Sequence, residues 1–239
     1  MKVGIIAALP GELKPLVKDW NRVKPGDSRV RKWVRRQGED EWVAVCAGMG
    51  ADAARKAFAE AEQDGDLEMV LSVGWVGALR DDVAVGGAYI PSVVIDALTG
   101  EQFRLVQGNT KWRLVTTAHI AGVDEKRRLA STYPGAGLVD MEAATVARLA
   151  EMRNVPLICI KGVSDEVGVL LPNLNQFVDQ TGHLRMLPFL GHVFFRPRFW
   201  PALMHLGRNS ARAARAMRDL IIEFMREKNV DQLIRTGSI

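Results

Sequence analysis

The chain predicts an α/β fold, a single-domain three-layer α/β/α sandwich around a central mixed sheet. Three observations carry that prediction. Largely apolar runs at 3–9, 68–73 and 157–163 have the length and continuity of strands buried on both faces. Stretches with a helical period alternate with them, which places helices on both sides of a sheet. Hydrophobic residues make up 48% and charged residues 25% of 239 positions, enough apolar surface for a sizeable core and too much for a disordered chain.

The elements follow in order. The run at 3–9 is a first strand, closed by Pro10-Gly11, and 12–20 reads as a short helix. Strands at 30–36 and 42–47 are joined by the turn Gly38-Glu39-Asp40. An Ala-rich helix covers 52–63. The strand at 68–73 leads into a Gly74-Trp75-Val76-Gly77 loop. Further strands are expected at 87–96 and 112–117, and a short helix at 124–131. A helix at 141–153 turns Ala143, Val146, Ala147 and Ala150 inward. The last strong strand, 157–163, is followed by a loop with Leu171-Pro172-Asn173 and by helices at 186–195 and from 200 to about 228. No repeat or linker interrupts the pattern, so one domain is expected over 1–239.

Composition narrows the function. The net charge of +4 is compatible with anionic partners but demands none. No nucleic-acid motif is present, and the aromatic residues do not interleave with basic ones as a stacking platform would, so no nucleic-acid partner is expected. Arg196, Arg198, Arg208, Arg212, Arg215 and Arg218 precede the first acid, Asp219. Such a stretch suits weak contact with an anionic membrane surface, or simply a solvated helix face. Cys46 and Cys159 lie in apolar runs and read as buried thiols. His119, His183, His192 and His205 lack metal-ligand spacing, so no metal is expected. Neither GxGxxG nor GxxxxGK[ST] occurs, and no cofactor is expected. The longest nearly apolar run, 69–79, is about half of the ~20 residues a spanning helix needs, and a cytoplasmic protein is inferred.

Ligands of open α/β sheets bind beyond the carboxyl ends of strands. The polar groups there are Glu12, the Gly74–Gly77 segment, Asp140-Met141-Glu142 and Ser164-Asp165-Glu166. Read locally, each has an ordinary explanation. Asp140 suits a helix N-cap. Glu142 and Glu12 suit a first helical turn, and Asp165 suits a loop. Gly74 and Gly77 allow close backbone approach or merely a turn.

Together these segments resemble the nucleoside phosphorylase and nucleosidase superfamily, in particular its methylthioadenosine/S-adenosylhomocysteine nucleosidases. The resemblance rests on MKVGIIAALPGEL at 1–13, SVGWVGAL at 72–79, GGAYIPSVVI at 86–95 and VDMEAATVARLAEMRNVPLICIKGVSDE at 139–166. It implies a phosphorylase/hydrolase-like sandwich and cleavage of the N-glycosidic bond of an adenine nucleoside. It further implies that Glu142 binds the ribose hydroxyls, with Met141 packed on the sugar. Asp165 then protonates the purine at N7, Ser164 orients it, and Glu12 activates water. The chemistry fits: bond cleavage makes an oxocarbenium-like sugar and an anionic base. An acid at the base is typically worth roughly 10²–10⁴-fold. That acid must be protonated at neutral pH, which an Asp achieves only in a dry pocket or beside a suitable charge. A homo-oligomer is also implied, part of whose pocket can come from a partner chain.

Phosphorylases of this kind hold phosphate with arginines in strand-end loops. Here 10–12 supplies an acid and 72–79 no arginine, which favours water; Arg29, Arg31 and Arg80 are the arginines that could still serve phosphate. Two positions depart from the nucleosidase pattern. Trp75 stands where a small polar residue is usual, and Asp140 where a second Glu is usual. Asp179-x-x-Gly182-x-Leu184-Arg185, Arg196-Pro197 and the stretch 201–208 resemble the hopanoid-associated relatives, which cleave adenine from adenosylhopane. Phe103 is a candidate apolar pocket wall. The competing readings are a phosphate-dependent phosphorylase and a non-catalytic nucleoside-binding or membrane-associated protein.

Overall fold

The computed structural model describes residues 1–169, 174–177 and 200–226. Its strands are β1 (Lys2–Ala7), β2 (Asn21–Val23), β3 (Arg31–Gln37), β4 (Asp40–Cys46), β5 (Met69–Ala78), β6 (Ala88–Tyr89), β7 (Val93–Asp96), β8 (Gln102–Arg104), β9 (Arg113–Thr116), β10 (Ala136–Asp140) and β11 (Leu157–Asp165). The helices are α1 (Pro10–Leu13), α2 (Ala51–Glu62), α3 (Val123–Thr132), α4 (Ala143–Met152) and α5 (Trp200–Arg226).

The strands form one mixed sheet in the order β2-β3-β4-β1-β5-β10-β9-β7-β8, with β11 pairing β5 and β6. Strand β5 is the hub. It runs parallel to β1 at Met69 to Ser72 and parallel to β11 from Val70 to Gly77. Its tip, Gly77 and Ala78, pairs antiparallel with the tip of β10.

Side chains alternate across the sheet with the two-residue period of a strand. Val3, Ile5, Trp42, Ala44, Met69, Leu71, Ile158 and Ile160 face Leu13, Leu16 and Trp20 on one side, together with Met217 and Ile221 of α5. Ile6, Val43, Val45, Val70, Leu157 and Cys159 face Phe58 of α2 and Val146 and Ala147 of α4 on the other. Helices thus cover both faces, and the three-layer sandwich expected from the alternating pattern is the fold. Among the described residues no helix is long and apolar enough to cross a membrane.

Several elements differ from expectation for identifiable reasons. The helix expected over 12–20 shrinks to the four residues of α1, because Pro15 lacks an N–H and disfavours helical geometry in the residue before it. Pro91 likewise divides the strand expected at 87–96 into β6 and β7. The 74–77 segment is not a loop. It continues β5, because β11 and β10 supply pairing partners as far as Gly77 and Ala78. Three short strands were not expected. Of these β10 matters most, since it makes Asp140 a strand end rather than a bare helix cap. The helix expected at 186–195 and the loop at 171–173 lie outside the described residues, as do Asp179 to Arg185 and Arg196-Pro197.

Candidate active site

The carboxyl ends of β1, β5, β10 and β11 converge on a cavity of about 900 Å³. Glu12, Trp75, Met141, Glu142, Ser164 and Asp165 all line it.

Glu12 opens α1 just beyond β1 and is 5% exposed. Its Oε2 accepts from the backbone N–H of Ala8 at 2.9 Å and of Leu9 at 2.7 Å, the latter a return bond to the helix start. Its Oε1 accepts from Trp75 N at 2.9 Å. These donors fix the carboxylate across the β1–β5 gap. Burial pushes its carboxyl above the usual range, while the three backbone donors and the Lys161 charge oppose that shift. Gly74 does not line the cavity; it makes room for Glu12. A Cβ there would stand 3.2 Å from Glu12 Oε1.

Glu142 sits between β10 and α4. Its Oε1 accepts from Gly50 N at 2.6 Å, at the N-terminus of α2. Gly50 has φ +86°, a conformation that favours glycine. Burial, with the neighbouring Asp140 charge second, pushes the Glu142 carboxyl up to about 8. Met141 adjoins it on the cavity wall.

Asp140 lies at the edge of this wall with its side chain 1% exposed. Its Oδ1 accepts from Thr116 Oγ1 at 2.7 Å, and its Oδ2 accepts from Ala143 N at 3.1 Å. Asp140 therefore satisfies the first backbone N–H of α4 from three residues upstream, although the N-cap position itself is Glu142. The same Oδ2 pairs with Lys161 Nζ at 2.9 Å, and Lys161 also donates to Ser72 Oγ at 3.0 Å. Burial works against the Lys161 charge, but Asp140 and its other acidic neighbours outweigh it and hold the ammonium above its ordinary value. Lys161 is thus a buried cation among Glu12, Asp140 and Glu142.

Asp165 closes β11. The pairing of β11 with β5 slips between Val163 and Asp165, so Ser164 is an extra residue. Such a bulge re-aims the side chains around it. Ser164 Oγ donates to Asp165 Oδ1 at 2.6 Å. Lys126 of α3 pairs with Asp165 Oδ2, and its Nζ donates to the carbonyl of Glu166 at 2.7 Å. Lys126 also lines the cavity.

Trp75 and α5 build the apolar side. The indole N–H donates to the carbonyl of Ser210 at 3.0 Å, which ties α5 to β5. A Cβ at Gly11 would meet the indole ring at 2.7 Å, so a glycine there leaves room for the Trp75 ring. Leu203, Met204, Leu206 and Gly207 extend this wall. Phe103 does not share the cavity lining. It is 8% exposed in the core on β8, with the Arg148 guanidinium 5.5 Å from its ring. Burying that ring against the sheet gains more than a place on the outer edge could. Among the described residues no arginine lines the cavity. Arg29 pairs with Asp27, and Arg80 donates to the carbonyl of Ala136.

The sequence reading named neither lysine. Lys161 carried a usable signal, a lysine inside an all-apolar strand, since a buried charge requires a partner. Lys126, in a Lys-Arg-Arg run, carried none.

A floor of fixed carboxylates under an apolar wall, at the strand ends of a mixed α/β/α sandwich, defines a binding pocket for a ligand with both hydroxyl and apolar parts. The family model described as "Phosphorylase superfamily" matches residues 2–121 and 99–185, and the chain belongs to that superfamily. No curated protein matches it in sequence. Its fold is similar to that of the 5′-methylthioadenosine/S-adenosylhomocysteine nucleosidase of Neisseria meningitidis (TM-score 0.70, 15% identity, covering 95% of this chain and 99% of that one). It is similar also to Arabidopsis thaliana 5′-methylthioadenosine nucleosidase (0.67, 17%, 94% and 96%). The futalosine hydrolase of Helicobacter pylori matches over less of this chain (0.59, 14%, 69% and 88%).

Proposed function

We propose that the protein is a nucleosidase that hydrolyses the N-glycosidic bond of an adenine nucleoside bearing a 5′ substituent. The observation that carries this reading is the convergence of Glu12, Glu142 and Asp165 on one cavity that no described arginine enters. Glu142 receives the ribose hydroxyls and stabilises positive charge on the sugar. Glu12, held by three backbone donors, takes the proton of the attacking water. Asp165 faces the base. A fixed carboxylate where a phosphate would sit repels that anion, which supports water as the nucleophile.

The 5′ group is methylthio, homocysteinyl or bulkier, such as the lipid of adenosylhopane. The apolar wall of Trp75, Leu203, Met204 and Leu206 supports a large apolar group. Trp200 and Met204 are 47% and 59% exposed, and Arg208, Arg212 and Arg215 are exposed further along α5, an arrangement that supports weak contact with an anionic membrane surface. We further read the protein as a cytoplasmic homo-oligomer with 1–239 as one domain.

The test is release of free adenine from methylthioadenosine, S-adenosylhomocysteine and adenosines of increasing 5′ bulk, with and without phosphate. Release that requires phosphate would make the chain a phosphorylase. No release from any of them would remove the reading.

A further inference from the structure

This inference rests on the nucleosidase reading and concerns where its leaving-group proton is held. A purine leaves readily only if it is protonated as the C1′–N9 bond breaks. An aspartate can supply that proton only when it is itself neutral. The Asp165 environment does the opposite. Its Oδ2 faces the Lys126 ammonium, and its Oδ1 accepts from Ser164 Oγ. The oxygen that faces the lysine is an acceptor in use, and Ser164 Oγ also lies 3.2 Å from the carbonyl of Val76.

Lys126 has the proton. Its side chain is 4% exposed, yet it lines the same cavity as Asp165. The amine reaches across from α3 to the end of β11, where the carbonyl of Glu166 gives it a second acceptor. The space it occupies depends on a glycine. A Cβ at Gly77 would stand 3.1 Å from Lys126 Nζ and 3.2 Å from Asp165 Oδ2. The β-bulge at Ser164, the bare backbone at Gly77 and the inward lysine all serve this one contact.

We propose that Lys126 and Asp165 act as a single proton-donating unit, with Lys126 as the store and Asp165 as the delivering atom. As the C1′–N9 bond breaks, its electron pair moves onto the base. One proton passes from Lys126 Nζ to Asp165 Oδ2 and from there to N7 of the purine. The water oxygen bonds to C1′ and its proton goes to Glu12. The base leaves neutral, and Lys126, left as a neutral amine, regains its proton from solvent. A substrate that closes the cavity favours the neutral amine–acid pair over the ion pair, because charge separation is costly once water is excluded.

The experiment compares two leaving groups on one sugar, 5′-methylthioadenosine and the matching 5′-methylthioriboside of 4-nitrophenol. Adenine needs a proton to leave; 4-nitrophenolate departs as the anion. In Lys126→Met, kcat for the nucleoside should fall by about 10²-fold or more, while kcat for the nitrophenyl riboside stays within about threefold of wild type. Lys126→Arg, which restores the charge but parts with a proton far less readily, should recover folding and binding (KM) without recovering the nucleoside kcat. Equal loss on both substrates would overturn the inference, since that is the mark of a purely structural lysine. So would full nucleoside turnover in either variant. A wild-type protein that cleaves neither substrate would instead remove the nucleosidase reading, and this inference with it.

Discussion

Strand β11 holds one member of each of two aspartate–lysine pairs, and they differ in access. The side chains of Lys161 and Asp140 are each 1% exposed, and of the two only Asp140 borders the cavity. Asp165 and Lys126 are 14% and 4% exposed, and both line the cavity. The chemistry is the same, four residues apart on one strand. With its lysine sealed off from the cavity, the first pair serves as a fixed charge beneath the acids. The second presents both partners to the cavity. Access, rather than residue type, sets the two pairs apart.

The largest expected effect breaks the first pair. Lys161→Met leaves the Asp140 charge buried without its cation and should cost about 3–5 kcal/mol of stability in denaturant unfolding. Adding Asp140→Asn should recover part of that loss by removing the stranded charge. A single variant as stable as wild type would show that the pair is not a structural floor. The next effect breaks the second pair at its cavity end. Asp165→Asn should lower adenine-nucleoside turnover by roughly 10²–10⁴-fold while its circular dichroism remains that of wild type. Rates like wild type would end its assignment to the base.

A pH experiment sharpens the contrast. Glu142 lies beside Asp140, and burial with that charge raises its carboxyl to about 8. The folded protein therefore keeps a proton that the unfolded chain releases in the ordinary carboxyl range. Stability falls as pH rises from that range toward about 8. Glu142→Gln removes this slope. The free variant should melt about 2–4 °C above wild type at pH 8, the shift that ~1 kcal/mol produces in a chain of this size, and no higher at pH 4. The same difference at both pH values would mean that burial of the acid is not the cause. The variant should also lose activity, because Gln cannot give up a proton to become the carboxylate that a developing positive charge on the sugar requires.

The smallest effect tests the packing behind Glu12. In Gly74→Ala the new Cβ meets Glu12 Oε1 at 3.2 Å, so the carboxylate must move by a few tenths of an ångström. Turnover should fall by less than about tenfold, with KM nearly unchanged. A much larger loss would show that Glu12 tolerates no displacement.

The residue pattern was enough for the layered fold and for naming the acids that border the cavity. Apolar runs at 3–9, 68–73 and 157–163 are strands because only strands buried on both faces read that way. Glu12, Glu142 and Asp165 could be named because each follows a strand end, where such sheets bind ligands, and because the segments around them resemble the nucleosidases. Three features depend on contacts between distant segments. The tertiary structure extended β5 through Gly77, because pairing partners 60 to 90 residues downstream supplied the hydrogen bonds. It buried Phe103 in the core, since a lone apolar residue on a short strand carries no record of which surface it will meet. It set Lys126 against Asp165 from a helix 39 residues away, through a gap left by Gly77. A periodic pattern reports which face of an element is buried. It does not report what lies on the other side, and that is where both lysines found their partners.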